Sequence, residues 1–137
     1  MESNIITHAA RATLDGSMPF AEIVGKLIAA GVEYYHVDYV ALHMTYYSAA
    51  GYSAAGDVIK TAIDYSDLPD VAADFDVNAL KAAIVASQQH GQHYHDFSKR
   101  VMQAGVQGYF VFIRGKRVTY LGRAGDQHTE WFPGEKP

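Results

Sequence analysis

Two groups of side chains in this sequence have the residue types that acid–base or metal chemistry requires. His36 and Asp38 stand two positions apart in VEYYHVDY, a run of strand-forming residues, so both are predicted to point to the same face of a sheet. A carboxylate beside an imidazole orients the ring and raises its basicity. The pair is therefore the best candidate for a general base in the chain. A structural hydrogen bond between the two side chains is the alternative interpretation, and it is the favoured one.

The second group is the segment HGQHYHD, which contains His90, His93, His95 and Asp96. Imidazoles and carboxylates are ligands of zinc and nickel. The segment falls at a predicted break between helices, however, and it lacks the pair of histidines four positions apart that marks a helical zinc site. A solvated, histidine-rich loop is therefore the favoured interpretation, and we expect neither a tightly bound metal nor another cofactor.

Other features of the sequence favour binding over catalysis. There is no cysteine, which excludes a thiolate nucleophile and a cysteine zinc site, and no serine lies in a recognisable nucleophile elbow. Ten tyrosines stand out, several of them in predicted strands. Tyrosine combines an apolar ring with a polar tip and suits pockets and interfaces, although it also suits an ordinary sheet core. The predicted ligand-binding residues on a tyrosine-rich face are His36, Asp38, Tyr46 and Tyr120.

Helix and strand patterns indicate which elements position these residues. Phe20 to Ile28 has apolar residues at helical spacing, and so does the stretch from Tyr94 to Ala104. Gly31 and Gly105 follow these helices, and each is predicted to end its helix with a positive φ. The other predicted elements are helices at 4–14 and 76–90 and strands within 32–47, 58–63, 106–113, 118–121 and 128–132. The run 32–47 is either one bent strand or two strands joined near 41–42.

The last strands are predicted to form an antiparallel meander. Gly115-Lys116 suits a two-residue hairpin loop with positive φ at the glycine, which would place Phe112 opposite Thr119 and Ile113 opposite Val118. Basic residues cluster around these turns, at positions 114, 116, 117 and 123, where charge usually means contact with solvent.

The chain also contains a weak internal repeat. A shift of 74 residues aligns Ala30-Gly31-Val32 with Ala104-Gly105-Val106 and Thr45-Tyr46 with Thr119-Tyr120. Helix–glycine–strand is a common local pattern, so the repeat is either a duplication or a coincidence. The predicted fold is one α+β domain over residues 1–137, with an antiparallel sheet, helices mainly on one face, and two related halves at 17–63 and 76–132.

A family resemblance follows from a series of short motifs. The motifs are Tyr34-Tyr35-His36-Val37-Asp38, Thr45-Tyr46-Tyr47, and Gly105-Val106 followed by Gly108 to Phe112. In this order they resemble the YbcV-like family of small bacterial and phage proteins, whose members are often called phage envelope proteins. The resemblance covers about Pro19 to Phe132. It implies an α+β fold and no established activity.

Composition narrows the classes of partner. The net charge of −4 and the pI of 5.9 argue against nucleic acid, which prefers a basic surface. No apolar run is long enough to span a membrane and no signal peptide is visible, so a cytoplasmic location is expected. We predict a non-enzymatic module of phage or prophage type that binds a small molecule or a protein. A metal-assisted hydrolase that uses a His/Asp site and a structural phage component are the alternatives, and the oligomeric state is left open.

Overall fold

A computed structural model describes residues 1–50, 57–90 and 93–135, and of His90 it describes the backbone alone. This part of the chain forms an antiparallel sheet of six strands with four helices, which confirms the predicted α+β fold. In chain order, the elements are α1 (Ser3–Asp15), α2 (Phe20–Ala29), β1 (Val32–Asp38), β2 (His43–Ser48), β3 (Val58–Ala62), α3 (Val77–His90), α4 (Tyr94–Gln103), β4 (Val106–Phe112), β5 (Arg117–Gly122) and β6 (Gln127–Trp131). None of the helices described here has the length and apolar character needed to cross a membrane.

The strands are arranged in the spatial order β3-β2-β1-β4-β5-β6, and every neighbouring pair is antiparallel. The long run 32–47 is therefore two strands, with a turn at 39–42 between them. Side chains alternate between the two faces of the sheet. On one face, which we call the helix face, buried residues such as Tyr35, Val37 and Val111 join the core with apolar residues of the helices. We call the opposite side the open face.

The two halves of the chain have the same order of elements, two helices followed by three strands, and β1 pairs with β4 at the centre. Details of the backbone repeat at positions whose numbers differ by 74. The strand register shifts between Val32 and Tyr34 in one half and between Val106 and Gly108 in the other. The predicted half 17–63 leaves out α1, although α1 has the position in its half that α3 has in the second.

Both helix-ending glycines adopt the predicted left-handed conformation. The φ angle is 88° at Gly31 and 95° at Gly105, and each glycine follows the C-cap residue of its helix, α2 or α4. Glycine enters this region without the steric penalty that a Cβ atom brings. Each glycine turns the chain from its helix into a central strand, which places β1 and β4 under the two helices.

The predicted hairpin at Gly115-Lys116 is wrong in its register. Phe112 lies opposite Arg117, so residues 113–116 form a four-residue loop, which shifts the pairing by two positions. The positive φ, 56°, belongs to Lys116 rather than to Gly115, and the amide of Lys116 donates to the carbonyl of Ile113 over 3.2 Å. A shift of two leaves every side chain on its original face, so the predicted alternation of β4 and β5 survives.

Candidate functional site

The open face carries a continuous group of five rings in the three strands β1, β2 and β4. The rings of Tyr34 and Tyr47 stack with centroids 4.5 Å apart, and those of His36 and Phe110 stack at 4.3 Å. Phe112 connects the two pairs, with its centroid 5.9 Å from Tyr34 and 5.6 Å from Phe110. All five side chains are partly exposed. We call this group the aromatic strip.

Strand alternation explains why these rings collect on one face. Tyr34 and His36 are two apart on β1, and Phe110 and Phe112 are two apart on β4. The register places Tyr34 opposite both Tyr47 and Phe112, on its two neighbouring strands. Directly opposite residues on one face are close enough for their rings to pack. The helices occupy the other side of the sheet, so these rings have a solvent-facing side.

The environment of His36 favours its neutral form. Partial burial lowers the pKa of the imidazole below its ordinary value, and the nearby carboxylate of Asp38 opposes this effect without cancelling it. At neutral pH the ring is therefore an uncharged member of the aromatic strip, stacked on Phe110. A neutral, stacked ring suits contact with a flat ligand.

Asp38 lies on the same face as His36, as predicted, but its carboxylate is hydrogen-bonded to backbone amides. Its Oδ1 atom accepts hydrogen bonds from the amides of Val40 and Ala41, both at 2.9 Å. This contact fixes the turn between β1 and β2, a common use of aspartate at the start of a turn. Among the described residues, no hydrogen bond joins Asp38 to the His36 ring. The favoured interpretation, a structural His–Asp bond, is therefore wrong, and the dyad of the catalytic alternative is not formed either.

Tyr46 and Tyr120 were predicted to share a binding face with His36, and this prediction is wrong. Tyr46 is 1% exposed and Tyr120 is 6% exposed, and both lie on the helix face. The register pairs Tyr46 with Tyr35, whereas His36 pairs with Thr45. The tyrosine of β2 on the open face is instead Tyr47, which the sequence analysis did not select.

One end of the open face contains a groove of about 610 Å³ at the turn between β4 and β5. Its wall combines aromatic, basic and hydroxyl side chains, and the lining residues are Glu33, Tyr34, Phe112, Arg114, Gly115, Arg117, Thr119 and Thr129. A groove of this size accommodates a small molecule. Both arginines were predicted to lie in solvated turns, and the groove could not be predicted because the rings that complete it come from different strands.

The two arginines of the groove are held differently. The guanidinium of Arg117 lies 4.2 Å over the ring of Trp131, and its Nε atom donates to the carbonyl of Gly115 over 3.2 Å. Arg114 is 86% exposed and its nearest acidic partner, Glu33, lies 3.7 Å away. Arg117 is therefore oriented by its contacts, while Arg114 can move toward a ligand.

The histidine-rich segment is separated from the open face. His93 precedes α4 and is exposed, and His95 stacks on Tyr65 with centroids 4.1 Å apart. The Nε2 atom of His95 lies 2.7 Å from Asp67, whose pKa is lowered by Lys99 first and by His95 second. Within 1–50, 57–90 and 93–135, no group of three potential ligands could hold a metal, and the side chain of His90 lies outside the described atoms.

A second polar cluster lies inside the protein, between α4 and the sheet. The hydroxyl of Tyr94 forms a short hydrogen bond with that of Tyr109, and the hydroxyl of Tyr39 lies 3.0 Å from Ser98. Burial raises the pKa of Tyr39 to about 12 and raises the pKa values of Tyr94 and Tyr109 as well. These hydroxyls are neutral and satisfy one another, so the cluster is a hydrogen-bonded part of the core.

Comparison with protein-family models and with curated proteins finds no match to this chain.

Proposed function

We propose that this protein is a non-enzymatic binding module that holds a small aromatic ligand on the open face of its sheet. The observation that carries the proposal is the aromatic strip, in which five partly exposed rings lie side by side. A flat ligand that covers such rings removes apolar area from water and gains favourable ring contacts. The groove at the end of the strip adds polar groups that can orient the ligand.

The state of the two acid–base candidates supports binding over catalysis. Asp38 uses Oδ1 to fix the turn at Val40 and Ala41, so it does not orient the imidazole. His36 has a lowered pKa and packs against Phe110. A general base works best when its proton-accepting nitrogen is oriented toward a reacting group. These contacts therefore argue against a hydrolytic role for His36 and Asp38. The structural phage role and the YbcV-like resemblance stay predictions.

The proposal can be tested with a neutral aromatic probe, 2-naphthalenemethanol, titrated into isotope-labelled protein. We expect nuclear magnetic resonance shift changes at the amides of β1, β2 and β4 that surround Tyr47, Phe110 and Phe112. Replacement of Phe112 by Thr should weaken binding severalfold, because it removes one ring while keeping a strand-forming residue. Ile28→Ala, on the exposed side of α2, is the matched control and should leave binding unchanged.

A thermal melt of each variant must show that it is folded before its binding is compared. The proposal is overturned if the probe produces no shifts on the open face at millimolar concentration. It is also overturned if the shifts map to the helices and Phe112→Thr binds as well as the parent.

A further inference from the structure

We propose that the groove at the Arg114–Arg117 end of the open face selects a planar aromatic anion. The guanidinium groups receive the carboxylate or phosphate of this ligand, and the rings of Tyr34 and Phe112 contact its aromatic part. The inference rests on the proposed function, since it uses the same face, and it adds the chemical class of the ligand and the residues that select it.

The charge of the groove is opposite in sign to that of the whole protein. The chain has a net charge of −4, whereas the groove is lined by two arginines and one carboxylate, Glu33. The contact between Glu33 and Arg114 is long, at 3.7 Å, and Arg114 is largely exposed. An exposed pair of this kind contributes little energy, so an incoming anion can replace it at small cost. Positive charge held locally in an acidic protein favours an anionic ligand at this position.

Arg117 is the better ordered of the two cationic groups. Its position over Trp131 restricts the guanidinium plane, and the hydrogen bond from Nε to the carbonyl of Gly115 restricts the side chain further. A guanidinium with a fixed plane loses less entropy when it binds a carboxylate or phosphate through two N–H groups. Arg117 therefore supplies the oriented contact, and Arg114 adds a second, mobile one.

The remaining lining determines the shape of the ligand. Tyr34 and Phe112 have ring centroids 5.9 Å apart, and the aromatic strip continues from them across the face. The hydroxyls of Thr119 and Thr129 are 3.0 Å apart on the neighbouring strands and give the groove a polar floor. An aromatic ring that bears one anionic group fits this groove. Its flat part would contact the rings of Tyr34 and Phe112, while its anionic group would contact the arginines.

The other half of the chain supplies an internal comparison. The positions equivalent to Arg114 and Arg117 are Val40 and His43, and the position equivalent to Phe112 is Asp38. The corresponding end of the sheet therefore has a carboxylate in place of a ring and lacks both arginines. The two ends share a backbone arrangement, so the basic, aromatic groove is a property of these particular side chains and not of the fold.

The test compares four probes: 2-naphthoate, 2-naphthyl phosphate, neutral 2-naphthalenemethanol, and cyclohexanecarboxylate, which has charge but no aromatic ring. Binding is followed by amide shifts and by the indole N–H resonance of Trp131, which is the one tryptophan of the sequence. We expect one or both naphthyl anions to bind about tenfold more tightly than the alcohol, because charge-assisted hydrogen bonds contribute more than neutral ones. The relative affinity of the two anions distinguishes a carboxylate ligand from a phosphate ligand.

Variants distinguish the effect of a direct guanidinium contact from the effect of positive charge near the groove. Arg117→His introduces the residue of the other half and should remove most of the tenfold advantage. Arg117→Lys keeps the charge without the planar group and should retain only part of it. Lys116→Asn is the matched control, because it removes a positive charge from the same turn while its side chain contacts Glu135 outside the groove. This control should bind 2-naphthoate about as well as the parent, apart from a small salt-dependent loss.

The outcomes distinguish this inference from the proposed function. Equal affinities for the naphthyl anions and the alcohol, all mapped to the open face, would overturn the anion preference and leave the proposed function standing. Equal binding of cyclohexanecarboxylate and 2-naphthoate, or an unchanged affinity in Arg117→His, would also overturn the inference. Failure of all three naphthyl compounds to bind the open face would overturn both proposals.

Discussion

His36 and Phe110 face each other across β1 and β4, and they are also the equivalent residues of the two halves. Their ring centroids are 4.3 Å apart. The approximate two-fold axis that relates the two halves therefore passes between these rings, at the centre of the aromatic strip. The central backbone contacts repeat on either side of this pair. Ile113 donates to the carbonyl of Glu33, and Tyr39 donates to that of Gln107. Each half thus pairs with the other through the same set of contacts.

The environment of His36 should make the protein less stable at mildly acidic pH. Because its pKa in the folded protein lies below the ordinary value of 6.5, the unfolded chain takes up a proton first as the pH falls. The stabilising contribution is therefore complete above pH 6.5 and is lost as the pH decreases toward the folded pKa. His36→Phe should keep the ring contact and flatten this part of the profile. Urea unfolding across the pH range, with exposed His8→Gln as a control, measures the effect, and an unchanged slope in His36→Phe would contradict it.

The two helix-ending glycines should differ in their tolerance of a side chain. A Cβ atom at Gly105 would meet the carbonyl of Asp74 well within contact distance, whereas at Gly31 the nearest atom is 3.8 Å away, in Met1. Both substitutions to alanine incur the left-handed backbone penalty of about 1 kcal/mol. Gly105→Ala should therefore lower the free energy of unfolding by roughly twice as much as Gly31→Ala, or more. Equal losses in denaturant unfolding would show that the segment around Asp74 adjusts freely.

The features that could be predicted from the sequence are those that depend on the residue pattern within a single strand or helix. Both left-handed glycines, the α+β fold and the shared face of His36 and Asp38 follow from local spacing, and the structure confirms them. Tyr46 was misplaced because its face relative to His36 depends on the register between β1 and β2. That register is set by the turn at 39–42, where Leu42 has a positive φ of 59° without a glycine to signal it.

The groove illustrates a second limit of sequence reasoning. Arg114 and Arg117 looked like ordinary turn residues, because they flank Gly115-Lys116 at the predicted hairpin turn. Their significance comes from Tyr34 and Trp131, which are distant in sequence and reach them through strand pairing. The only sequence signal was the alternation of aromatic residues in β1 and β4, which indicates a ring-rich face without locating the charges beside it.

The buried tyrosines should resist ionisation. Burial raises the pKa of Tyr39 to about 12, and it also raises the pKa values of Tyr94 and Tyr109 well above their ordinary value. At about pH 11 these residues remain protonated in the folded protein while the same residues ionise in the unfolded chain, whose tyrosines titrate near pH 10. Stability should therefore decrease as the pH rises above 10. Tyrosinate absorbance before and after unfolding in denaturant measures the difference, and complete ionisation of the folded protein at about pH 11 would contradict the prediction.

Asp38 should matter for stability through its oxygen atom rather than its charge. Asp38→Ala leaves the amides of Val40 and Ala41 without their acceptor and should cost about 1 kcal/mol of unfolding free energy. Asp38→Asn keeps an oxygen at the same position, so it should lose much less. Denaturant unfolding of both variants measures the difference. If the two variants are equally destabilised, the carboxylate charge and not the turn contact is the source of the effect.

Lys116 offers a stabilising substitution, because it adopts a left-handed conformation that disfavours most residues. Asparagine enters this region more easily, so Lys116→Asn should raise the free energy of unfolding by about 0.5 kcal/mol. The ion pair with Glu135 is exposed, at 3.4 Å, and its loss should offset only a small part of the gain. The equivalent substitution, Leu42→Asn, relieves the same backbone strain but removes an apolar side chain that packs against the core. It should therefore gain less or lose stability. Thermal melts of the two variants test this pair of expectations, and a destabilised Lys116→Asn would contradict the role assigned to its backbone conformation.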